Sequence, residues 1–194
     1  MIEYGPDMTK DVTDKPAQDV LHRKWRLGGD DHSITTTEFE WAIMRFYSAF
    51  ERSCHQLGSI AGNRSLGFQE LVLLHVVAMQ HHPQTSTSLA RQLNRDDIAN
   101  VQYILRKLQG EGLLIKAKEP RGKTYTYDIT KSGGVMVERY AEMRALLLTE
   151  KTKFIDNIDD KLHAANDLLS LLTGIYDDAA RISATYSPVE SGDT

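Results

Sequence analysis

The chain has 194 residues, of which 41% are hydrophobic and 26% charged, and it carries a formal net charge of −4. This composition is sufficient for a packed core, the single cysteine excludes an intrachain disulfide, and no apolar stretch is long enough to span a bilayer. We therefore expect a cytoplasmic protein of one domain or two small lobes, with no signal peptide and no membrane association.

The first 32 residues are polar, contain Pro6, Pro16 and Gly28-Gly29, and show no sustained hydrophobic period. This pattern predicts a flexible N-terminal arm. A basic and aromatic cluster at 22–26 either packs Trp25 against the body of the protein or reaches DNA or a partner subunit, and the sequence leaves both alternatives open.

Two helices are predicted after the arm. In the first, from about 36 to 57, apolar residues recur every three or four positions; they are Phe39, Ile43, Phe46, Phe50, Cys54 and Leu57. Thr35 or Thr37, each followed three residues later by glutamate, would cap this helix. The second helix is predicted from about 66 to 80, with Ser65 as its candidate cap.

The segment 86–131 has the pattern of a helix-turn-helix followed by a hairpin. A short third helix (about 87–93) and a fourth helix (about 98–110) precede strands at 113–118 and 124–130. The segment contains nine lysines and arginines and five acidic residues, so its net charge is +4 and the remainder of the chain carries −8. A local positive charge of this kind favours contact with phosphate.

The fourth helix has one apolar face and one polar face. Its apolar residues are Val101, Ile104, Leu105 and Leu108, while Asn100, Gln102, Tyr103 and Arg106 lie on the outside. A side-chain amide can form two hydrogen bonds with adenine in the major groove, which indicates a DNA-recognition helix. We expect Asp97 to cap this helix, and Thr85 or Ser86 to cap the third.

The hairpin tip is basic. Arg121 and Lys123 lie on either side of Gly122, and Pro120 precedes them. Proline and glycine favour a tight turn, and two cations at an exposed tip are suited to phosphates or to a narrow minor groove. We therefore predict that both cations contact DNA.

Two further helices are predicted, a fifth from about 131 to 154, capped by Thr130, and a sixth from about 159 to 183. The first and last helices have wide apolar stripes that one small winged-helix core is not expected to cover. A symmetric dimer would bury these stripes and place two recognition helices about 34 Å apart on an inverted repeat.

Taken in order, several short motifs resemble the MarR family of winged-helix transcription regulators over about 35–180. They are Ser88-Leu89-Ala90, Leu93, the run from Val101 to Leu108, Gly112-Leu113-Leu114 and Thr130-Lys131-Ser132-Gly133. The resemblance implies a mainly α fold with a small β-hairpin wing and long N- and C-terminal dimerisation helices. It also implies base-facing positions at Ala99, Asn100, Gln102 and Tyr103, and a wing arginine at Arg121.

The resemblance also implies a domain organisation. The predicted parts are an arm (1–32), an N-terminal dimerisation helix (33–62), a DNA-binding lobe (63–131), C-terminal dimerisation helices (132–186) and a tail (187–194). Many relatives bind small aromatic ligands between the dimerisation and DNA-binding lobes. Here an aromatic cluster either lines such a pocket or packs in the core or dimer interface; it comprises Trp41, Phe46, Tyr47 and Phe50.

Two functions are consistent with this pattern: a dimeric regulator that binds double-stranded DNA, or a winged-helix module that binds proteins and does not read DNA. We expect no enzyme activity and no cofactor. Gly122-Lys123-Thr124 resembles the end of a P-loop, but Ala117 stands where its first glycine is required. We also expect no metal site, because the spacing of His75, His81 and His82 fits no standard zinc pattern.

Overall fold

The computed structural model describes residues 27, 29–62, 64–118 and 124–186. Its helices and strands follow one another in the order α1 (Asp31–Ala61), α2 (Phe68–Ala78), β1 (Gln84–Thr85), α3 (Ser86–Gln92), α4 (Ile98–Gly110), β2 (Leu114–Lys118), β3 (Tyr125–Ile129), α5 (Lys131–Arg144), a π-helical turn (Ala145–Thr149), α6 (Glu150–Thr152) and α7 (Ile158–Ser183). The prediction of a mainly α fold with a small hairpin wing is confirmed.

The described strands form one antiparallel sheet in the order β1-β3-β2. Strands β2 and β3 are the predicted hairpin, and their register pairs Lys116 with Tyr127 and Lys118 with Tyr125. The short strand β1 was not predicted. It pairs Gln84 with Tyr127 and thereby ties the start of α3 to the wing.

The chain divides into two compact units, Met1–Phe50 and Glu51–Thr194. The described part of the first unit consists mainly of the N-terminal portion of α1. Within it, the rings of Phe46 and Phe50 stack with their centroids 6.1 Å apart and their planes within 7°.

The second unit contains the hydrophobic core. Leucines and valines of α2, α3 and α4 are almost fully buried, among them Leu74, Leu89, Val101, Leu105 and Leu108. Burying one such side chain stabilises a fold by about 1.5–3 kcal/mol. The core therefore fixes α4 by its apolar face and leaves the opposite face at the surface.

The start of α1 differs from the prediction. The helix begins at Asp31 because the preceding Asp30 accepts a 2.7 Å hydrogen bond from the backbone N–H of Ser33 and so satisfies one free donor of the first turn. Thr35 and Thr37, predicted as caps, lie inside the helix, and their hydroxyls donate to carbonyls four residues earlier.

The predicted Ser65 cap of α2 is also wrong. The helix begins at Phe68, with Gly67 at the N-cap position and no side-chain cap. The Ser65 hydroxyl instead donates to Glu111 at 3.2 Å, across the unit.

Two other caps are confirmed. The hydroxyl of Thr85 accepts from the N–H of Ser88 at 3.1 Å, and that of Thr130 accepts from the N–H of Gly133 at 3.0 Å. Gly133 packs so tightly that a Cβ there would lie 2.3 Å from the carbonyl oxygen of Leu113. This contact joins the start of α5 to the start of the wing.

The predicted continuous fifth helix is interrupted. α5 ends at Arg144, and the backbone continues through the π-helical turn Ala145–Thr149 before α6. A π-helical turn holds more residues than an α-helical turn and has a different hydrogen-bond spacing. The residue composition of this segment suits both forms, so it did not predict the interruption. None of the helices in the described ranges is both long enough and apolar enough to cross a membrane.

Candidate nucleic-acid interface

The outer face of α4 is polar and accessible. Ala99, Asn100, Gln102, Tyr103 and Arg106 are all exposed. Four side chains on the opposite face are buried, namely Val101, Ile104, Leu105 and Leu108. A helix that is held from one side and exposed on the other has the geometry that a groove-binding helix requires.

The start of α4 carries a local ion pair. Asp97 occupies the N-cap position, but its side chain does not cap the helix. Its carboxylate accepts from the Arg95 guanidinium at 2.7 and 2.9 Å and from the Asn100 amide at 3.1 Å. Hydrogen bonds from Arg95, and then from Asn100, lower the pKa of Asp97 to about 2. The capping prediction for Asp97 is thus wrong, because Arg95 and Asn100 engage this carboxylate.

Asn100 and Gln102 each have a neighbour that orients the amide. The Asn100 amide donates to Asp97, and the amide nitrogen of Gln102 lies 3.5 Å from the hydroxyl oxygen of Ser86 on α3. Both side chains remain exposed, so each keeps hydrogen-bonding capacity toward solvent or a ligand.

A cleft of about 270 Å³ lies between α4 on one side and the wing strands β2 and β3 on the other. Among the described residues, no acidic side chain lines it; the lining residues are Ser86, Gln102, Arg106, Lys116, Thr124, Tyr125 and Tyr127. The ammonium of Lys116 lies 3.9 Å from the centroid of the Tyr125 ring and 5.9 Å from that of Tyr127.

Lys116 was not among the predicted site residues. It joins the cleft because residues 114, 116 and 118 of β2 share one face of the hairpin with their partners on β3. The alternation of tyrosines in 125–129 was visible in the sequence. Which lysine they would meet depends on the strand register, which the sequence alone did not give.

Lys107, next to Arg106 in sequence, projects in a different direction from α4 and reaches α2. Its ammonium donates to Glu70 of α2 at 2.8 Å and to the carbonyl oxygen of Ser65 at 3.2 Å. Burial raises the pKa of Glu70, but the hydrogen bond and charge of Lys107, together with backbone hydrogen bonds at the start of α2, outweigh this and leave that pKa below its ordinary value. Lys107 therefore holds α4 on α2.

The remaining predicted site residues fall in two places. Arg121 and Lys123 lie in 119–123, outside the described residues; β2 ends at Lys118 and β3 begins at Tyr125 on either side of this segment. The four aromatic residues of the predicted ligand pocket lie on α1 in the first unit. All four are at least 39% exposed, and they are Trp41, Phe46, Tyr47 and Phe50.

Comparison with known proteins shows which class of domain contains this interface. Residues 66–133 match the family model of the winged helix DNA-binding domain. This range holds α2, α3, α4 and the wing. No curated protein matches the chain as a whole or in part.

Solved structures extend the likeness beyond that domain. A MarR family transcription regulator has a TM-score of 0.60 at 15% identity, covering 78% of this chain and 99% of its own. The DNA complex of MepR from S. aureus has a TM-score of 0.57 at 17% identity, covering 71% and 97%. CouR from Rhodococcus jostii RHA1 bound to p-coumaroyl-CoA has a TM-score of 0.54 at 11% identity, covering 68% and 90%.

These matches define a winged-helix protein. Its fold is that of the MarR-type transcription regulators, which confirms the fold that the sequence resemblance implied.

Proposed function

We propose that the chain is a DNA-binding transcription regulator of the MarR type that binds an inverted repeat as a homodimer in the cytoplasm. The observation that carries this proposal is the exposed polar face of α4 beside a cleft whose lining, as far as the structure describes it, has two cations and no acid. In this scheme residues 63–131 form the DNA-binding lobe.

On this proposal the two parts of the interface have different tasks. Asn100 and Gln102 lie where side chains can contact base edges, with Ala99 and Tyr103 beside them. Arg106 at the cleft, together with Arg121 and Lys123 near the wing tip, supplies charge for the phosphates and the minor groove. The solved DNA complex of MepR, which shares the fold, supports this use of the fold.

The proposal of a homodimer rests on the apolar surface of the C-terminal helices. Large apolar side chains on α7 are 45–64% exposed, and they include Leu162, Leu168, Leu169, Leu171 and Ile175. Leu162 and Leu169 are seven residues apart and share one side of the helix, and an exposed apolar surface of this kind is typical of a protein–protein interface. A second copy related by a two-fold axis would cover it, with 33–62 and 132–186 as the dimerisation segments.

A small aromatic ligand is a proposed effector. Trp41, Phe46, Tyr47 and Phe50 offer aromatic surface for such a ligand, and CouR, which shares the fold, is known with p-coumaroyl-CoA bound. A ligand of this kind would act by favouring one spacing of the two recognition helices over another.

The exposed Asp96 at the start of α4 favours a second candidate, a winged-helix module that binds proteins and does not read DNA. An anion near this helix opposes phosphate, as does the net charge of −4. Selection of bound sequences from a random duplex library separates the two functions. The regulator predicts enrichment of a palindrome, whereas absence of enrichment even at low salt would support the protein-binding module.

A further inference from the structure

The cleft between α4 and the wing has the chemistry of an anion site. Arg106 and Lys116 enter it from opposite sides, and hydroxyl or amide groups of Ser86, Gln102 and Thr124 supply further donors. In the part of the lining that the structure describes, no residue carries a carboxylate. A guanidinium and an ammonium together with neutral donors form charge-assisted hydrogen bonds with phosphate oxygens.

Lys116 packs against an aromatic ring of the same hairpin. Its ammonium lies 3.9 Å above the Tyr125 ring, within the distance at which a cation is attracted to an aromatic face. The hairpin register places both residues on one face of the wing. Lysine has a flexible stem, so a ring that restrains it lowers the entropic cost of engaging an anion.

The position of the cleft indicates which anion it meets. Gln102 and Arg106 are four residues apart on α4, so both project from one side of the helix, next to the face that holds Asn100 and Tyr103. When such a helix enters the major groove, the strand that borders the groove runs between the helix and the wing. The neighbouring cation Lys107 is engaged with Glu70 of α2 and is not among the described residues that line the cleft.

From this arrangement we propose that the cleft seats one phosphate of the DNA backbone, with Arg106 and Lys116 as its cations and Tyr125 as a positioning residue that acts through Lys116. The inference rests on the proposed DNA-binding function and adds Lys116 and Tyr125 to it. A seated phosphate would fix the register of α4 on the duplex, while side chains on α4 contact the bases.

The test is the salt dependence of duplex binding, measured by fluorescence anisotropy with the full-length chain on a selected duplex and on a random one. Lys116→Gln should weaken binding to both duplexes by about 5- to 20-fold and reduce the salt slope by about 1, because one phosphate contact is lost. Lys116→Arg should keep the slope, since it keeps the charge.

The role of Tyr125 has its own pair of variants. Tyr125→Phe keeps the aromatic face and should bind normally. Tyr125→Leu removes that face, so it should weaken binding and reduce the salt slope, as Lys116→Gln does. Equal impairment of both variants would overturn the positioning role. Thermal unfolding of each variant checks that the hairpin still folds.

Failure of the inference is distinguishable from failure of the proposed function. If the wild type binds duplex DNA and Lys116→Gln binds with an unchanged salt slope, the cleft seats no phosphate, although the chain still binds DNA. If the wild type binds no duplex at any salt concentration, both proposals are overturned together.

Discussion

The side-chain amide nitrogen of Asn94 lies 3.1 and 3.3 Å from the two carboxylate oxygens of Asp177. Asn94 belongs to the turn between α3 and α4 and has a φ of 50°, a left-handed conformation that asparagine tolerates better than most residues. Asp177 lies on α7. One hydrogen-bonded contact therefore joins the turn before the proposed recognition helix to the helix proposed for dimerisation.

We expect Asp177→Ala to weaken binding to a full palindrome by about two- to tenfold, the range expected for the loss of one hydrogen bond. The physical reason is that α4 loses a contact that orients it relative to α7. The thermal midpoint should hardly change, because exposed polar contacts contribute little to stability. Titration of a labelled palindrome measures the effect. Asp178→Ala is the matched control, since Asp178 pairs with Arg181 on α7; equal effects of the two variants would contradict this prediction.

Gly133→Ala should destabilise the second unit. A Cβ at Gly133 would lie 2.3 Å from the carbonyl oxygen of Leu113 and 2.8 Å from Cδ1 of Ile129. Since the first of these atoms belongs to the backbone, we expect a loss of about 1–3 kcal/mol in the free energy of unfolding. Gly134→Ala, where nothing lies within 4 Å, should be neutral or gain up to about 1 kcal/mol. Denaturant titration compares the two, and equal stability would show that the Gly133 contact relaxes freely.

Acidification should destabilise the fold through His75. Burial lowers the pKa of His75 below its ordinary value of 6.5, which outweighs the opposing effect of the hydrogen bond to the Leu71 carbonyl. Its ring also packs edge-on against Tyr140, with centroids 4.3 Å apart. As the pH falls below 6.5, the unfolded chain takes up a proton that the folded chain does not, so the free energy of unfolding decreases until the folded pKa is passed.

Denaturant titrations between pH 7.5 and pH 5 test this, with His75→Leu and the exposed His82→Gln compared with the wild type. His75→Leu should flatten the pH dependence across this window, and His82→Gln should leave it as it is. An unchanged slope in His75→Leu would assign the acid sensitivity to other groups.

Leu169→Arg should separate the proposed dimer. Leu169 is 45% exposed on α7 and shares one side of that helix with Leu162, and a charge in a buried apolar interface carries a large desolvation cost. Light scattering at micromolar concentration should give the dimer mass for the wild type and the monomer mass for the variant. Affinity for a two-site palindrome should fall by at least about tenfold, because two linked sites no longer bind together.

Met79→Arg controls for the introduction of an arginine at an exposed apolar position. Met79 is 67% exposed at the C-terminal end of α2, outside the segments proposed to pair. The Met79→Arg variant should remain a dimer. A wild type that scatters as a monomer would remove the dimer from the proposed function.

Local signals in the sequence were sufficient for much of the fold. The apolar period of α4 gave its bounds, and Thr130 with Gly133 marked the start of α5, because caps and periodicity depend on neighbours in the chain. The predicted cap at Ser65 was wrong because its hydroxyl bonds to Glu111, which is distant in sequence. The predicted cap at Asp97 was wrong because Arg95 and Asn100 engage its carboxylate. Lys116 was missed for a related reason, since its place beside Tyr125 follows from the pairing of two strands.

The π-helical turn gives the C-terminal part of the chain one place where a change in length can be absorbed. A π-helical turn holds one residue more than an α-helical turn, so removing a single residue from Ala145–Thr149 would restore regular winding and leave the side chains on either side of the turn facing much as they do now. The same deletion inside α5 would instead rotate every later side chain of that helix by about 100°. The surface beyond the turn is thus tolerant of a lost residue at this point and intolerant of one a few positions earlier.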